Sequence, residues 1–138
     1  MAAKDLFHDS VKRALEKDAW IITADPLRVK FGGLEFQIDL GAEKILAADR
    51  GDEKIAVEIK SFLRSSAVTD FYAALGQFLS YRLALSKNEP ERKLYLAVPL
   101  DTYRDFFQLV FAKEAIAQYQ LKIIVYDPAK EAILQWIN

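Results

Sequence analysis

Glu58-Ile59-Lys60 is the tripeptide of this chain best placed to do chemistry. It closes the apolar run Lys54 to Ile59 and stands immediately before a loop. On a strand, the period of two sends Ile55, Val57 and Ile59 to one face and Glu58 and Lys60 to the other. A carboxylate and an ammonium on one face suit hydrolysis of a phosphodiester if a second carboxylate joins them. Two carboxylates hold a hard divalent cation, Mg²⁺ or Mn²⁺, while leaving water in its shell. The cation polarises a phosphoryl oxygen and acidifies the bound water. Lys60 orients that water or neutralises the negative charge that develops. The alternative is a solvated ion pair on a half-exposed strand. Glu91-Arg92-Lys93 has the same form but directly follows Pro90, and we assign it no role.

Two residues compete to be the second carboxylate. Asp39 lies on the polar face of an earlier strand, where Leu34, Phe36, Ile38 and Leu40 alternate with Glu35, Gln37 and Asp39. A hairpin centred near Asp52 places Glu43 and Ile45 opposite Glu58 and Lys60, with Asp39 slightly outside the register. Asp39 then reaches the site only if the Gly41-Ala42 segment bends, and Glu43 is its rival. Further along, Gln77 and Tyr81 stand four apart on one helix face, which Asp70 and Ala74 continue. Gln77 could bond a metal-bound water or a phosphate. Tyr81 could contact a nucleic-acid backbone, or simply form the polar edge of a packed stripe. Arg28, Lys30, Lys60, Arg64 and Arg82 could gather around one mouth and meet phosphates.

Composition narrows the field. The 138 residues contain no cysteine, which removes disulfides, thiolate zinc sites, iron–sulfur clusters and cysteine nucleophiles together. The single histidine, His8, rules out a His-rich metal site, and its place at a helix start suggests a surface or capping residue. Nineteen basic residues against twenty acidic ones leave a formal charge of −1, so nucleic-acid binding must rest on a local patch. Gly32-Gly33 lacks the Lys-Ser/Thr signature of a phosphate loop and reads as a turn. No apolar stretch is long enough for a signal peptide or membrane span, which predicts a cytoplasmic protein.

The elements that must position these residues follow from periodicity. Phe7, Val11, Ala14 and Leu15 mark an amphipathic helix over about Lys4 to Lys17. Trp20 to Ala24 reads as a strand ended by Asp25-Pro26. The strand over Leu34 to Leu40 follows Gly32-Gly33. Ile45 to Ala48 and Lys54 to Ile59 flank Asp49 to Glu53 as a hairpin. Ser66 to Ser86 is the best helix, with Phe71, Leu75, Phe78, Leu79 and Leu83 as its apolar stripe. Leu94 to Val98 is a buried strand, Asp101 or Thr102 begins a helix through about Gln118, and Leu121 to Tyr126 pairs with Ala132 to Ile137. Phe106, Phe107, Val110 and Phe111 form an apolar cluster on that third helix, mostly core but with a part available to an oligomer or partner. The expected architecture is one α/β (α+β) domain over 1–138: a mixed sheet flanked by helices, in the order α-β-β-β-α-β then α-β-β.

That order, with Asp39, then Glu58-Ile59-Lys60, then Gln77 and Tyr81, resembles the restriction-endonuclease-like PD-(D/E)xK nucleases over about Phe7 to Val98. The Gln-x-x-x-Tyr helix is similar to the RecB-like branch. Ile38 stands where that pattern has proline, and Glu16 loosely matches a carboxylate that the first helix sometimes adds. A more extensive likeness covers nearly the whole chain. Ala14-Leu15-Glu16-Lys17-Asp18-Ala19-Trp20, Ile38-Asp39-Leu40-Gly41-Ala42-Glu43-Lys44, Ala56-Val57-Glu58-Ile59-Lys60-Ser61-Phe62 and Asp70-Phe71-Tyr72-Ala73-Ala74-Leu75-Gly76-Gln77 resemble the XisH family, as does Leu134-Gln135-Trp136-Ile137. This family is the cyanobacterial fdxN-element excision controlling factor. The resemblance implies a role in DNA rearrangement during heterocyst differentiation, beside a recombinase and the companion XisI. The likeness to the PD-(D/E)xK nucleases implies, for an active site, an Mg²⁺- or Mn²⁺-dependent endonuclease with Asp39 and Glu58 on the metal (Glu43 and Glu16 as alternates). Lys60 and Gln77 would act with them, and Tyr81, Arg64 and Arg82 would lie on DNA. The other reading is a non-catalytic regulator that binds excision partners, as a monomer or a homo-oligomer.

Overall fold

The computed structural model describes residues 5–45, 52–63 and 66–138. Helix α1 (His8–Lys17) leads into strands β1 (Ile21–Ala24), β2 (Leu27–Phe31), β3 (Leu34–Ile38), β4 (Leu40–Ile45) and β5 (Asp52–Ile59). Helix α2 (Ala67–Asn88) crosses to β6 (Lys93–Pro99). Helix α3 (Leu100–Asp105), a 3-10 turn (Phe106–Gln108) and α4 (Val110–Tyr119) then precede β7 (Ile123–Asp127) and β8 (Ala132–Ile137). Six strands form one mixed sheet in the order β1-β4-β5-β6-β7-β8. β5, β6 and β7 run parallel and the other neighbours antiparallel. The expected α+β class, with a mixed sheet and flanking helices, is what the chain forms. Among the described residues no helix is long and apolar enough to cross a membrane.

The sheet separates two cores, because neighbouring residues of a strand face opposite ways. Ala56, Leu94, Leu96, Val98, Ile123 and Val125 pack toward α2 and α4. Ile55, Val57, Ile59, Tyr95, Ala97, Ile124 and Tyr126 pack toward α1, Trp20 and Trp136. The three parallel strands are covered on both faces and therefore read as near-continuous apolar runs. Helix α2 starts at Ser66, whose hydroxyl accepts the Thr69 N–H at 3.2 Å, one of the donors a helix start leaves unpaired. It buries Phe71, Ala74, Phe78, Ala84 and Leu85, while Leu83, read as core from periodicity, is exposed.

Three further elements differ from the periodic reading. Leu27–Phe31 forms a strand, paired with β3 as a separate two-stranded sheet around Gly32 (φ 62°) and Gly33 (φ 89°). That turn needs left-handed backbone, which glycine adopts freely. The third helix is broken, with Leu109 extended between the 3-10 turn and α4. In the 3-10 turn before the break, adjacent Phe106 and Phe107 both bury against Phe71, at ring separations of 5.4 and 5.8 Å. They form one aromatic cluster with it.

The alternation over Leu34 to Leu40 is two strands meeting at Asp39. In an unbroken strand Ile38 and Leu40 would share a face. Instead Ile38 joins the core under α2 and Leu40 the core under α1, so the chain bends between them. The β4–β5 register pairs Leu40 with Val57, Glu43 with Lys54 and Ile45 with Asp52. The hairpin is therefore centred before Asp52, and its expected turn over Asp49 to Glu53 is misplaced: Asp52 and Glu53 already belong to β5. Leu46 to Gly51 lie outside the described residues.

Candidate active site

Continuing the β4–β5 register by one residue brings Asp39 directly opposite Glu58. The bend that ends β3 makes this possible without any deformation at Gly41-Ala42. The Ile59 N–H donates to Asp39 Oδ2 at 2.8 Å, and the Asp39 N–H donates to Glu58 Oε1 at 3.4 Å. Glu58 is 5% exposed and points to the α2 side of the sheet, as the alternation of β5 requires. Burial, the facing Asp39 carboxylate and their mutual hydrogen bond push Glu58 up to about 9. Burial also raises Asp39, against the opposing pull of the Ile59 N–H and of Glu58. At neutral pH the pair keeps one proton between two carboxyl groups, as closely facing acids do.

Lys60 directly follows β5, and its positive charge acts on Glu58 in the direction that favours ionisation. The Lys60 backbone is fixed at both ends, with its N–H on the Ala97 carbonyl at 3.1 Å and its carbonyl accepting from the Tyr126 hydroxyl at 3.3 Å. From α2, Tyr81 comes close enough that burial, Glu58 and Asp39 together raise its hydroxyl. Its ring rests edge-on against Phe36 at 6.1 Å. One turn earlier, Gln77 Oε1 is buried with no hydrogen-bond partner. A buried acceptor left unmet costs on the order of 1–3 kcal/mol, so this atom is open to a donor or a cation. Asp39, Glu58, Lys60 and Tyr81 thus come from the β3–β4 bend, the end of β5 and α2 to one region of the sheet, with Gln77 one helical turn before Tyr81.

Other expected participants lie elsewhere. Glu43 faces Lys54 and Arg92 at 4.0 and 3.9 Å, at the far end of the hairpin from Glu58. Glu16 is exposed on α1, outside the face formed by His8, Val11, Ala14 and Leu15. Arg82 donates to the carbonyls of Tyr119 and Gln120 at 2.7 and 3.1 Å and lies over the Phe78 ring, so it closes the end of α4. Arg64 is outside the described residues. Arg28 is paired with Glu35 across the β2–β3 hairpin at 3.2 Å.

His8 was expected at the surface and is instead 3% exposed. Its Nε2 meets Asp25 Oδ1 at 2.7 Å, and its Nδ1 lies 4.0 Å from Asp39 Oδ1 without a hydrogen-bond partner. Lys12 holds the other Asp25 oxygen at 2.9 Å. Partial burial pushes Asp25 up, but the bonds from Lys12 and His8 outweigh it and the carboxylate is lowered. The sequence signal was the spacing of His8, Val11 and Leu15, which puts His8 on the buried stripe of its helix.

The donor set suits a hard cation. It offers carboxylate and amide oxygens, and the facing acids lack one positive charge that would let both ionise. Asp39 and Glu58 supply the carboxylate oxygens and Gln77 its unpartnered Oε1. Among the described residues no three His, Cys, Asp or Glu side chains converge as a metal-holding group. Any cation here would therefore use two carboxylates and keep water in the rest of its shell, as Mg²⁺ does.

Comparison with known proteins agrees over the whole chain. The sequence model of the XisH protein family matches residues 1–134. A crystal structure of an XisH family protein from Nostoc punctiforme PCC 73102 is 56% identical, covers 97% of this chain and 100% of its own, and superposes with a TM-score of 0.89. A second, of a fdxN element excision controlling factor protein from Anabaena variabilis, is 54% identical, covers 98% of this chain and 100% of its own, and also has a TM-score of 0.89. No curated protein sequence matches.

Proposed function

The chain belongs to the XisH family, and from that premise we propose that it is an excision controlling factor whose Asp39–Glu58 site is a metal-dependent phosphodiesterase acting on DNA. The observation that carries this reading is a pair of carboxyl groups set face to face beside a lysine, with Glu58 buried. A fold seeking stability alone would put an apolar or oppositely charged residue opposite Glu58. The arrangement has the parts of a PD-(D/E)xK nuclease: Asp39 for the aspartate, Glu58 and Lys60 for the E-x-K, and Gln77 and Tyr81 on the following helix.

When bound, Mg²⁺ or Mn²⁺ supplies charge neutralisation at the phosphoryl oxygen and a more acidic water. The protein's own groups do the rest. Asp39, fixed by the Ile59 N–H, and Glu58, fixed by the Asp39 N–H, would hold the ion with their remaining oxygens. Holding the ion would need both acids ionised, and the shared proton would leave to solvent. Lys60 favours the ionised pair and, at the edge of the site, orients the attacking water or balances charge on the scissile phosphate. Gln77 Oε1, buried without a partner, would accept a hydrogen bond from a donor brought to the site. Tyr81, with its hydroxyl kept protonated, donates to a DNA phosphate oxygen.

The test is nicking of supercoiled DNA in Mn²⁺ by the wild type, Glu58→Ala and Lys60→Ala proteins. Nicking lost in both variants supports the site. Nicking that survives in both excludes it. The second reading, a non-cutting regulator that binds XisI-like and recombinase partners, is favoured by the depth of Glu58 and by the limited set of metal-holding side chains among the described residues. Absence of nicking by the wild type across Mg²⁺ and Mn²⁺ would decide for it.

A further inference from the structure

A concave region lies outside the carboxyl ends of the three parallel strands, and neither Asp39 nor Glu58 lines it. It is a cavity of about 460 Å³, framed by the loop after β5, the start of α3 after β6, and the turn after β7. Such a crevice is where open sheets with parallel strands bind their ligands, and its volume lies in the range of small-ligand and side-chain pockets. Its floor is apolar, with Phe62, Leu100 and Phe106 among the lining residues. Phe62 has a φ of 55°, a conformation costing a non-glycine residue on the order of 1–2 kcal/mol. Its ring is anchored edge-on against Phe107 at 5.7 Å. The next residue, Leu63, also lines the cavity and is 61% exposed.

The charged side chains that line the cavity among the described residues are all acidic. Asp101 and Asp105 stand four apart on α3, and Asp127 closes the opposite side. One Asp127 oxygen accepts the Ala129 and Lys130 N–H groups, leaving the other free for a ligand. Among the described residues no basic side chain lines the cavity. Three carboxylates repel phosphate and favour a cation. The aromatic floor is far larger than an inorganic cation needs. Apolar floor and acidic rim together match an Arg or Lys side chain flanked by a bulky aliphatic or aromatic one.

We propose that this cavity docks a basic, apolar peptide segment of a partner protein, its cation between Asp101, Asp105 and Asp127 and its apolar side chain on Phe62, Leu63 and Phe106. The surface is separate from Asp39 and Glu58, and the proposal holds whether or not those residues cut DNA. Full-length protein is panned against random dodecapeptides displayed on phage, alongside Asp101→Lys/Asp105→Lys and Leu63→Asp proteins whose melting curves show that they fold. Wild type should enrich sequences that place Arg or Lys within two residues of Leu, Phe or Trp. A synthetic peptide of the leading sequence should bind each variant at least about tenfold more weakly by fluorescence anisotropy, the loss of a central contact. No enrichment, enrichment of acidic or uncharged sequences, or equal binding to both variants overturns the proposal. Displacement of the peptide by a single-stranded oligonucleotide overturns it in favour of nucleic acid. A wild-type dimer that Leu63→Asp dissociates overturns it in favour of a second copy of the chain.

Discussion

The β4–β5 hairpin holds charged residues opposite one another at both ends, and the two ends obey different rules. Toward the turn, Glu43 faces Lys54 and Lys44 faces Glu53, with Arg92 beside Glu43. The paired groups across the strands are opposite in sign, the arrangement by which antiparallel strands gain a few tenths of a kcal/mol per pair. At the bend, Asp39 faces Glu58, acid against acid, and Glu58 is sealed from water. Folding selects the first pairing and opposes the second. The difference teaches that two carboxylates in one hairpin are told apart by what stands across the strand.

The largest effect expected from breaking this contrast is on chemistry. Glu58→Ala should lower Mn²⁺-dependent nicking about a thousandfold, roughly 4 kcal/mol of barrier, measured as initial rates on supercoiled DNA. Next comes the support between the two ends. Arg92 is 6% exposed and bonds Glu89 at 3.0 Å and the Ile55 carbonyl at 2.8 Å, so Arg92→Met leaves both acceptors unmet. It should cost about 2–3 kcal/mol in urea unfolding. A smaller effect of opposite sign follows from Glu58→Gln. This change removes the ionisation that the fold resists and should raise Tm at pH 8 in the absence of metal by about 3 °C or more, near 1 kcal/mol.

The pH dependence sharpens the same point. The ordinary value for Glu58 is 4.5 and the folded value is raised to about 9. The folded protein therefore binds the extra proton, and the stability this brings is complete below 4.5 and lost as pH rises through 9. Metal-free Tm should fall across that window, Mg²⁺ should restore it, and Glu58→Gln should flatten it. A pH-independent Tm in the wild type would contradict the paired site. The smallest effect belongs to Glu43→Gln, under about 0.5 kcal/mol with unchanged nicking. Loss of nicking there would return Glu43 to the site.

Much of the scaffold was legible because it rests on local alternation. Ile55, Val57 and Ile59 on one face and Glu58 on the other is a direct consequence of strand geometry. The Asp39–Glu58 pairing was not legible, since it depends on where the hairpin turns, and Leu46-Ala47-Ala48 is apolar enough to read as more strand. Strand β2 was missed although Leu27, Val29 and Phe31 alternate with Arg28 and Lys30 before Gly32-Gly33, a pattern that signals a hairpin. The role of His8 depends on Asp25 and Asp39, contacts made by tertiary folding that no helical period contains.

The bend at Asp39 also governs how this protein can change over time. Ile38 is held by one core and Leu40 by the other, so gaining or losing one residue in either flanking strand would send its apolar side chains to the wrong face. Length in this segment is locked by packing. Residue 39 itself belongs to neither core, and its side chain is tied to the fold by the Ile59 N–H. The fold therefore fixes the location of residue 39 with great strictness, whereas apolar packing places no demand on which side chain stands there.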